Sequence, residues 1–493
     1  MKSYGIRNGV RPTITTAEEG TIALVAGDKG AIFYNTDTDS LRTWDGSAFQ
    51  NVGGSGGEKD FVATGTIGAG AAVGLRSDGT VEIIEDTVAP GGFGTGVTFD
   101  TNPIRTATCY DSTNNRVVVI YYTNSNPAYV YSKVGVVSGG TITFGAKTLV
   151  ISNEVTDIAV AYDSTNDAVV LVYSGRLITD HHAIIGRVDI SAETCSFGTA
   201  VAYSTNQTDQ AGVCYDSISN RIVIAYRDRN SQNWGRAVVG EVNGVAKTIS
   251  FGAYVTYASG VSSYYNNPIS ISSGNKVVIA YQGTSGSAVV GTIVPSTNSI
   301  TFGTPVVFQS GGASWIDIVF DSASNQVVIA YSNGSNSSYG TAVVGAVSGT
   351  SISFGTPSVF LSSSTITFTM VYSVINAKIV IATRDPSDSN YGRSIIGTVS
   401  GTGISFDSPT TFSNYYFNRP SSAYDSISGK AVISYSTNNS SGETAVYTLD
   451  EITTNVASTI GINTTAKVNA ETATVTILAG TSGGHSALVI GDI

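Results

Sequence analysis

The chain has 493 residues, with 55 Gly, 11 Pro, 12% charged residues and a net charge of −11. β-Branched, aromatic and small polar residues abound while helix formers are few, which points to an all-β protein of short strands and turns. The acidic balance and the absence of any Lys/Arg run exclude a phosphate-tracking nucleic-acid surface, and no run of 18 or more apolar residues is present to insert into a membrane as a helix.

Met1-Lys2-Ser3-Tyr4-Gly5 contains no apolar stretch, so no signal peptide is expected. Residues 1–52 hold strand-like runs between Gly and Asp turns and read as a small N-terminal β module. Within it, Asn35-Thr36-Asp37-Thr38-Asp39-Ser40 looks like the start of a calcium loop but lacks the turn Gly and the distal Glu, so a hairpin turn is expected. Gly53-Gly54-Ser55-Gly56-Gly57 opens a flexible linker over 53–60, and residues 61–96 read as a small β segment.

From 97 to 450 the chain repeats. One signature is an aromatic or apolar residue followed by Asp-Ser and a β-branched run: Tyr110-Asp111, Tyr162-Asp163, Tyr215-Asp216, Phe320-Asp321 and Tyr424-Asp425, with weaker copies at Ile271-Ser272 and Tyr372-Ser373. A second is Thr/Ser-Phe-Gly/Asp, centred on Phe99, Phe144, Phe197, Phe251, Phe302, Phe354 and Phe406, with spacings of 45, 53, 54, 51, 52 and 52. Each unit reads as four antiparallel strands, here named A to D in chain order. In the fifth unit A lies near Ile316–Phe320, B at Gln326–Tyr331, C at Thr341–Val347, and D over Ser351–Phe360 with a break near Gly355-Thr356-Pro357. Ser, Asn, Asp and Gly turns separate them. Seven such units predict a seven-bladed β-propeller of four-stranded blades.

The ends of the repeat predict how the ring closes. The first signature met is a D strand at Phe99 with no A, B or C before it, and the last unit stops after strand C at Thr444–Leu449. The strand near Val97–Asp100 should therefore complete the blade of Tyr424–Leu449, which leaves no open sheet edge. The A–B and C–D turns then lie on one face and the B–C and D–A connections on the other. The flanking segments, 1–96 and a C-terminal β segment 451–493 packing near 61–96, are expected on the A–B/C–D face.

Few motifs carry chemistry. Asp180-His181-His182 has no partner at ligand spacing and reads as a solvated B–C loop, so no metal or other cofactor is expected. No Gly-x-Ser-x-Gly elbow, phosphate loop or sialidase-type Asp turn occurs, and the repeated Asp of the first signature reads as scaffold, so the chain is not expected to be an enzyme. Cys109, Cys195 and Cys214 show no disulfide spacing and read as buried residues, in keeping with assembly in a reducing cytoplasm. A ligand-contacting position should vary between blades. Five residues before the signature aromatic stand Arg105, Asp157, Gln210, Trp315, Thr367 and Arg419, the fourth copy being too divergent to align. With Tyr264-Tyr265 and Tyr415-Tyr416, expected in D–A loops, they offer aromatic and polar groups suited to sugar rings. Trp234, Tyr339 and Tyr391 share one position before strand C and read as packing residues.

The stretch Gly30 to Phe49, with Ile32-Phe33-Tyr34-Asn35-Thr36-Asp37 and Leu41-Arg42-Thr43-Trp44-Asp45-Gly46-Ser47, resembles a short β module found near the N-termini of tail-fibre and other tail-structural proteins of bacteriophages. Gly65-Thr66-Ile67, Ser77-Asp78-Gly79-Thr80-Val81 and Thr481-Ser482-Gly483-Gly484-His485 resemble segments flanking repeats in tail-fibre-like proteins of phages of cyanobacteria and marine bacteria. The family's tail continues past a Gly-x-x-Tyr-Tyr-Val-like run, whereas this sequence stops at Gly491-Asp492-Ile493. The resemblance implies a virion fibre or spike protein, made in the host cytoplasm. Its N-terminus would dock on tail, baseplate or capsid proteins, its far face would bind a host-surface receptor, glycan or protein, and it would form a homotrimer. Two alternatives stay open: a decoration protein without a receptor, and a polysaccharide depolymerase.

Overall fold

The computed structural model describes residues 91–123, 129–175, 181–271, 274–438 and 441–448, and mainly strand backbones in the flanking segments. The chain divides into two units, Gly91–Leu449 and a unit made of Met1–Pro90 with Asp450–Ile493. In the latter, strands from both sides of the repeat pair with one another: Thr472–Ile477 with Glu58–Val62, Thr459–Asn463 with Ala72–Leu75, and Glu451–Thr453 with Thr87–Ala89. Near the N-terminus Ile32–Asn35 and Ser40–Trp44 form a hairpin with Asn35 opposite Ser40, and the tip considered as a calcium loop lies outside the described residues.

The unit Gly91–Leu449 is a seven-bladed β-propeller. Every blade is an antiparallel A-B-C-D sheet whose D strand is in two pieces, as in the fifth: Ala313–Asp321, Gln326–Asn333, Tyr339–Ser348, then Ser351–Phe354 and Ser358–Ser364. Strand B is apolar without alternation, as in Val327-Val328-Ile329-Ala330-Tyr331, because both its faces are covered by neighbouring blades. Its residues are shared alternately between two cores: Val118 and Ile120 pack toward the second blade, Val117, Val119 and Tyr121 toward the seventh. Seven apolar clusters result, one for each pair of neighbouring blades.

Closure follows the expected path, with one correction. Val97–Thr101 pairs with the C strand Ser441–Thr448, Val97 opposite Thr444 and Thr101 opposite Ser441. Asp100 in this closing strand accepts a 2.5 Å hydrogen bond from Tyr121 of the first blade and lies 3.2 Å from Lys147. Phe99, however, is not the counterpart of Phe144. Phe144 stands opposite Gly135 in the first half of its D strand, and the residue so placed in the seventh blade is Phe93, opposite Tyr447. Phe99 occupies the second half and fills the space above Gly442, as Phe308 does above Gly286 and Phe360 above Gly340. Counted from Phe93 the first spacing becomes 51, in line with the others.

Gly94 sits after Phe93 as Gly145 follows Phe144. A Cβ on Gly94, Gly145, Gly198, Gly252, Gly303 or Gly355 would lie 1.8–2.2 Å from a carbonyl oxygen in the C–D turn of the next blade. In the sixth blade the position is Asp407 instead, exposed. The blade that follows has no C–D turn, since its C and D strands come from opposite ends of the repeat, so nothing crowds a side chain there.

The opposite turns are tied by the first signature. Asp111, Asp163, Asp321 and Asp425 each accept two backbone N–H groups of their own A–B turn, at 2.9–3.2 Å. Tyrosines of the next blade also reach A–B turns: Tyr215 donates to Thr165, Tyr372 accepts the Ala323 N–H, and Tyr424 accepts the Ile375 N–H in the sixth blade, where Ser373 replaces the Asp. In the fourth blade the register places Ser270 and Ile271 where other blades carry the aromatic and the Asp, one residue earlier than the sequence signature suggested. The fifth blade correspondingly has Phe320, without a hydroxyl. The three cysteines are buried thiols, with Cys109 and Cys214 at equivalent places in strand A.

Candidate functional site

Strand A runs along the central channel from the D–A end to the A–B end. Both ends of the propeller's chain meet at the C–D edge, where Gly92 pairs with Thr448. The D–A/B–C face is thus the face without a chain crossing, and the candidate residues stand at its mouth.

The register places Tyr265 at the fourth-blade position that could not be aligned in the sequence, completing the series Arg105, Asp157, Gln210, Tyr265, Trp315, Thr367 and Arg419. Tyr264 and Tyr265 belong to strand A, Tyr264–Ile271, and Tyr415 and Tyr416 end the strand Thr410–Tyr416, so neither pair is in a loop. Four strands A carry a bulge here, between Asp209 and Gly212, Tyr264 and Asn267, Ser314 and Asp317, and Asn418 and Ser421. Each bulge holds a left-handed residue: Gln210 (φ 54°), Tyr265 (51°), Trp315 (53°) and Arg419 (45°). Such a conformation costs a non-glycine residue about 1–2 kcal/mol.

The A–B turns give an internal standard for that cost. Their seven left-handed positions are Asn115, Asp167, Asn220, Asn275, Asn325, Ala377 and Gly429. In these A–B turns the chain uses Asn, Asp or Gly in six of seven blades, whereas the C–D turns also place Glu193 and Lys247 in this conformation. At the mouth it uses Gln, Tyr, Trp and Arg, side chains with no such preference.

The mouth residues are linked around the ring. Arg105 forms a 2.8 Å ion pair with Asp157. Burial pushes the Asp157 carboxyl up, against the pull of Arg105 and of the Ile158 and Gln210 backbone N–H groups. The Tyr265 N–H donates to Gln210 Oε1 at 3.2 Å, and the Tyr265 and Trp315 rings lie 5.6 Å apart. The Arg419 N–H donates to Thr367 Oγ1 at 3.2 Å, and Arg419 O accepts from Thr106 Oγ1 at 3.0 Å. Trp315 keeps 38% of its surface exposed and Tyr415 46%. Tyr264 lies under the Arg227 guanidinium at 4.2 Å and Tyr416 under that of Arg384 at 4.6 Å.

Just inside the channel, Asp317 accepts N–H groups of Ile318 (2.9 Å) and Met370 (2.8 Å) and the Asn267 amide (3.3 Å). Burial nonetheless pushes its pKa up to about 6. Both oxygens are occupied, and sequence reasoning missed this residue because its partners come from three blades.

His181 and His182 do not form a solvated loop. They open strand C, His181–Asp189, where buried His181 accepts the Thr208 N–H at 3.2 Å and His182 stacks on Tyr173, while Asp180 lies outside the described residues. No group of three or more His, Cys, Asp or Glu arranged to hold a metal occurs among the described residues. Trp234, Tyr339 and Tyr391 are half-buried at the start of strand C, each after two left-handed residues, Gln232-Asn233, Ser337-Ser338 and Ser389-Asn390.

No family model matches the chain, and no curated protein matches it. The likeness to solved structures is one of fold. A lectin from Burkholderia pseudomallei is 9% identical with a TM-score of 0.55, covering 71% of this chain and 97% of its own. A protein from Lactobacillus plantarum (11%, TM-score 0.48) and a periplasmic gluconolactonase from Pseudomonas aeruginosa (11%, 0.47) each cover 72% of this chain, and 97% and 96% of their own. What the lectin shares with this chain is the propeller fold.

Proposed function

We propose that this chain is a virion fibre or spike protein that binds a host-surface glycan through the D–A/B–C mouth of its propeller. The observation that carries the binding half is the set of four left-handed residues at the mouth, none of them Gly or Asn. Backbone strain retained on recognition-type side chains is the mark of a functional position. Aromatic faces at Trp315, Tyr265 and Tyr415 and a guanidinium at Arg419 suit stacking on and hydrogen bonding to sugar rings. The virion half is supported by the resemblance of the N-terminal segment to phage tail modules, with tail, baseplate or capsid proteins as docking partners and a trimer as the assembly. Binding rather than hydrolysis is the reading because both mouth carboxyls raised by burial are engaged, Asp317 accepting backbone N–H groups on both oxygens and Asp157 paired with Arg105.

The test is a glycan array probed with the purified full chain, followed by Trp315→Ala and Tyr415→Ala. Binding to defined glycans that falls at least tenfold in either variant supports the reading. Binding unchanged in both removes the mouth as the site, and normal adsorption of virions lacking the propeller would favour a decoration protein.

A further inference from the structure

Five blade junctions repeat one arrangement. A tyrosine on strand B stands against a ring in the second half of the preceding strand D: Tyr121 against Phe99, Tyr226 against Tyr203, Tyr281 against Tyr257, Tyr331 against Phe308 and Tyr435 against Phe412, with centroids 4.9–5.9 Å apart. Strand C places a side chain opposite that strand B position, and in most blades it is large and engaged. Tyr131 lies under Lys147 at 4.9 Å, and His182 stacks on Tyr173. Arg236 pairs with Asp228 and lies over Tyr254 at 4.0 Å, Arg393 pairs with Asp388, and Glu443 accepts the Tyr435 hydroxyl at 2.8 Å. In the fifth blade the residue is the smaller Thr341, and there Gln309 of the preceding strand D takes the space, donating to Asn333 at 3.0 Å and accepting from Tyr331 at 3.5 Å.

Between the third and fourth blades both positions are small. Ser287 stands opposite Tyr281, and Ala258 pairs with Gly235 as Gln309 pairs with Gly286. The B–C turn is short as well, Gly283-Thr284-Ser285, closed by a 2.9 Å hydrogen bond from the Gly283 N–H to Ser285 O. Ser285 therefore stands where the third, fifth and sixth blades carry Trp234, Tyr339 and Tyr391. What remains is a cavity of about 320 Å³, at the small end of the range for small-molecule sites. Its floor is Tyr257, Ala258 and Tyr281, all buried, and its rim is Ser259, Thr284 and Pro305, all exposed. Ser259 belongs to a D–A connection and Thr284 to a B–C turn, so the cavity opens on the same face as the mouth. No Asp, Glu, Lys or Arg lines it among the described residues. Burial pushes the Tyr281 hydroxyl up to about 12, with the Ser287 hydroxyl the group that counters it. The Tyr257 hydroxyl donates to Asn266 Oδ1 at 2.6 Å, and the Asn266 amide donates to Gln210 O at 3.1 Å, so one side chain joins the floor of the cavity to the mouth.

We infer that this cavity is a second carbohydrate subsite, which holds one uncharged sugar unit. The hydroxyls of Ser259, Thr284 and Ser287 can exchange hydrogen bonds with sugar hydroxyls, while Pro305 and Val261 offer apolar surface to a ring's C–H face. A charged substituent would find no counter-charge there and would lose its hydration. The choice of carbohydrate rests on the glycan-binding reading above, to which the cavity adds a place and a class of sugar.

The experiment uses the full chain on an array of neutral and acidic glycans, with calorimetry on the neutral hits. Two variants fill the cavity by copying other junctions: Ser287→Arg follows Arg236, and Ala258→Gln follows Gln309. Wild type is expected to bind glycans that carry an uncharged sugar. Affinity should fall about tenfold or more in each filled variant, with denaturation midpoints no lower than wild type. Thr284→Ala, on the exposed rim, should weaken binding about fivefold, the loss of one hydrogen bond. Affinity unchanged in either filled variant, or binding confined to acidic glycans, overturns the subsite and leaves the mouth standing. Binding lost in the filled variants but unchanged in Trp315→Ala and Tyr415→Ala keeps the subsite and overturns the mouth. No binding to any glycan overturns both. If one filled variant has a lowered midpoint, the other and Thr284→Ala decide the question.

Discussion

Arg419→Gly separates strain kept for function from strain needed by the fold. Arg419 has φ 45°, is exposed, and makes its hydrogen bonds among the described residues through its backbone, donating to Thr367 Oγ1 and accepting from Thr106 Oγ1. Both bonds survive any side-chain replacement that keeps the bulge. Glycine relieves about 1–2 kcal/mol of left-handed strain and gives back about 0.5–1 kcal/mol through the greater freedom of the unfolded chain. The net expectation is a gain of roughly 0.5 kcal/mol, whereas Arg419→Ala keeps the strain and should stay within about 0.5 kcal/mol of wild type. Glycine should therefore be the more stable of the two variants, and both should lose glycan binding. Urea denaturation at constant m-value reads the difference directly. A glycine variant less stable than wild type by more than about 1 kcal/mol would show that the Arg419 side chain supports the bulge, and the strain argument would fail.

Other outcomes follow from the repeat. Tyr162→Phe removes a hydroxyl that donates to Asp167, five residues on in its own blade, at 3.0 Å and should cost about 1–2 kcal/mol by denaturation; Phe320→Tyr should recover part of that, because Asn325 stands at the acceptor position used by Asn115, Asp167 and Asn220. Gly303→Ala places a Cβ 1.9 Å from the Thr350 carbonyl and should cost about 3 kcal/mol or more, while Asp407→Ala should be close to neutral. Asp317, with a folded pKa near 6, binds its proton more tightly when folded than when unfolded, so its ionisation destabilises the fold as pH rises from about 4 to about 6. On the order of 3 kcal/mol of stability should be lost across the full titration, and Asp317→Asn should flatten it in thermal melts taken across pH. Light scattering of the full chain should give three times the 50.9 kDa protomer mass, and a monomer would remove the trimer from the proposal.

The sequence by itself determined the propeller, its count of blades and the strand that closes it. Those follow from a period near 52 residues, turn chemistry between apolar runs, and an unmatched strand at each end, all of them local patterns. It misassigned Phe99 because either half of strand D accepts an aromatic, and only pairing with Tyr447 distinguishes Phe93, although the short first spacing of 45 was already the signal. It aligned six of the seven mouth positions and named Tyr265 only as a D–A loop residue, because the fourth blade lacks both halves of the signature and only the register aligns it. Only the tertiary structure showed the backbone conformation of those positions. Gln, Tyr, Trp and Arg carry no mark of a left-handed backbone, so the bulges were invisible along the chain.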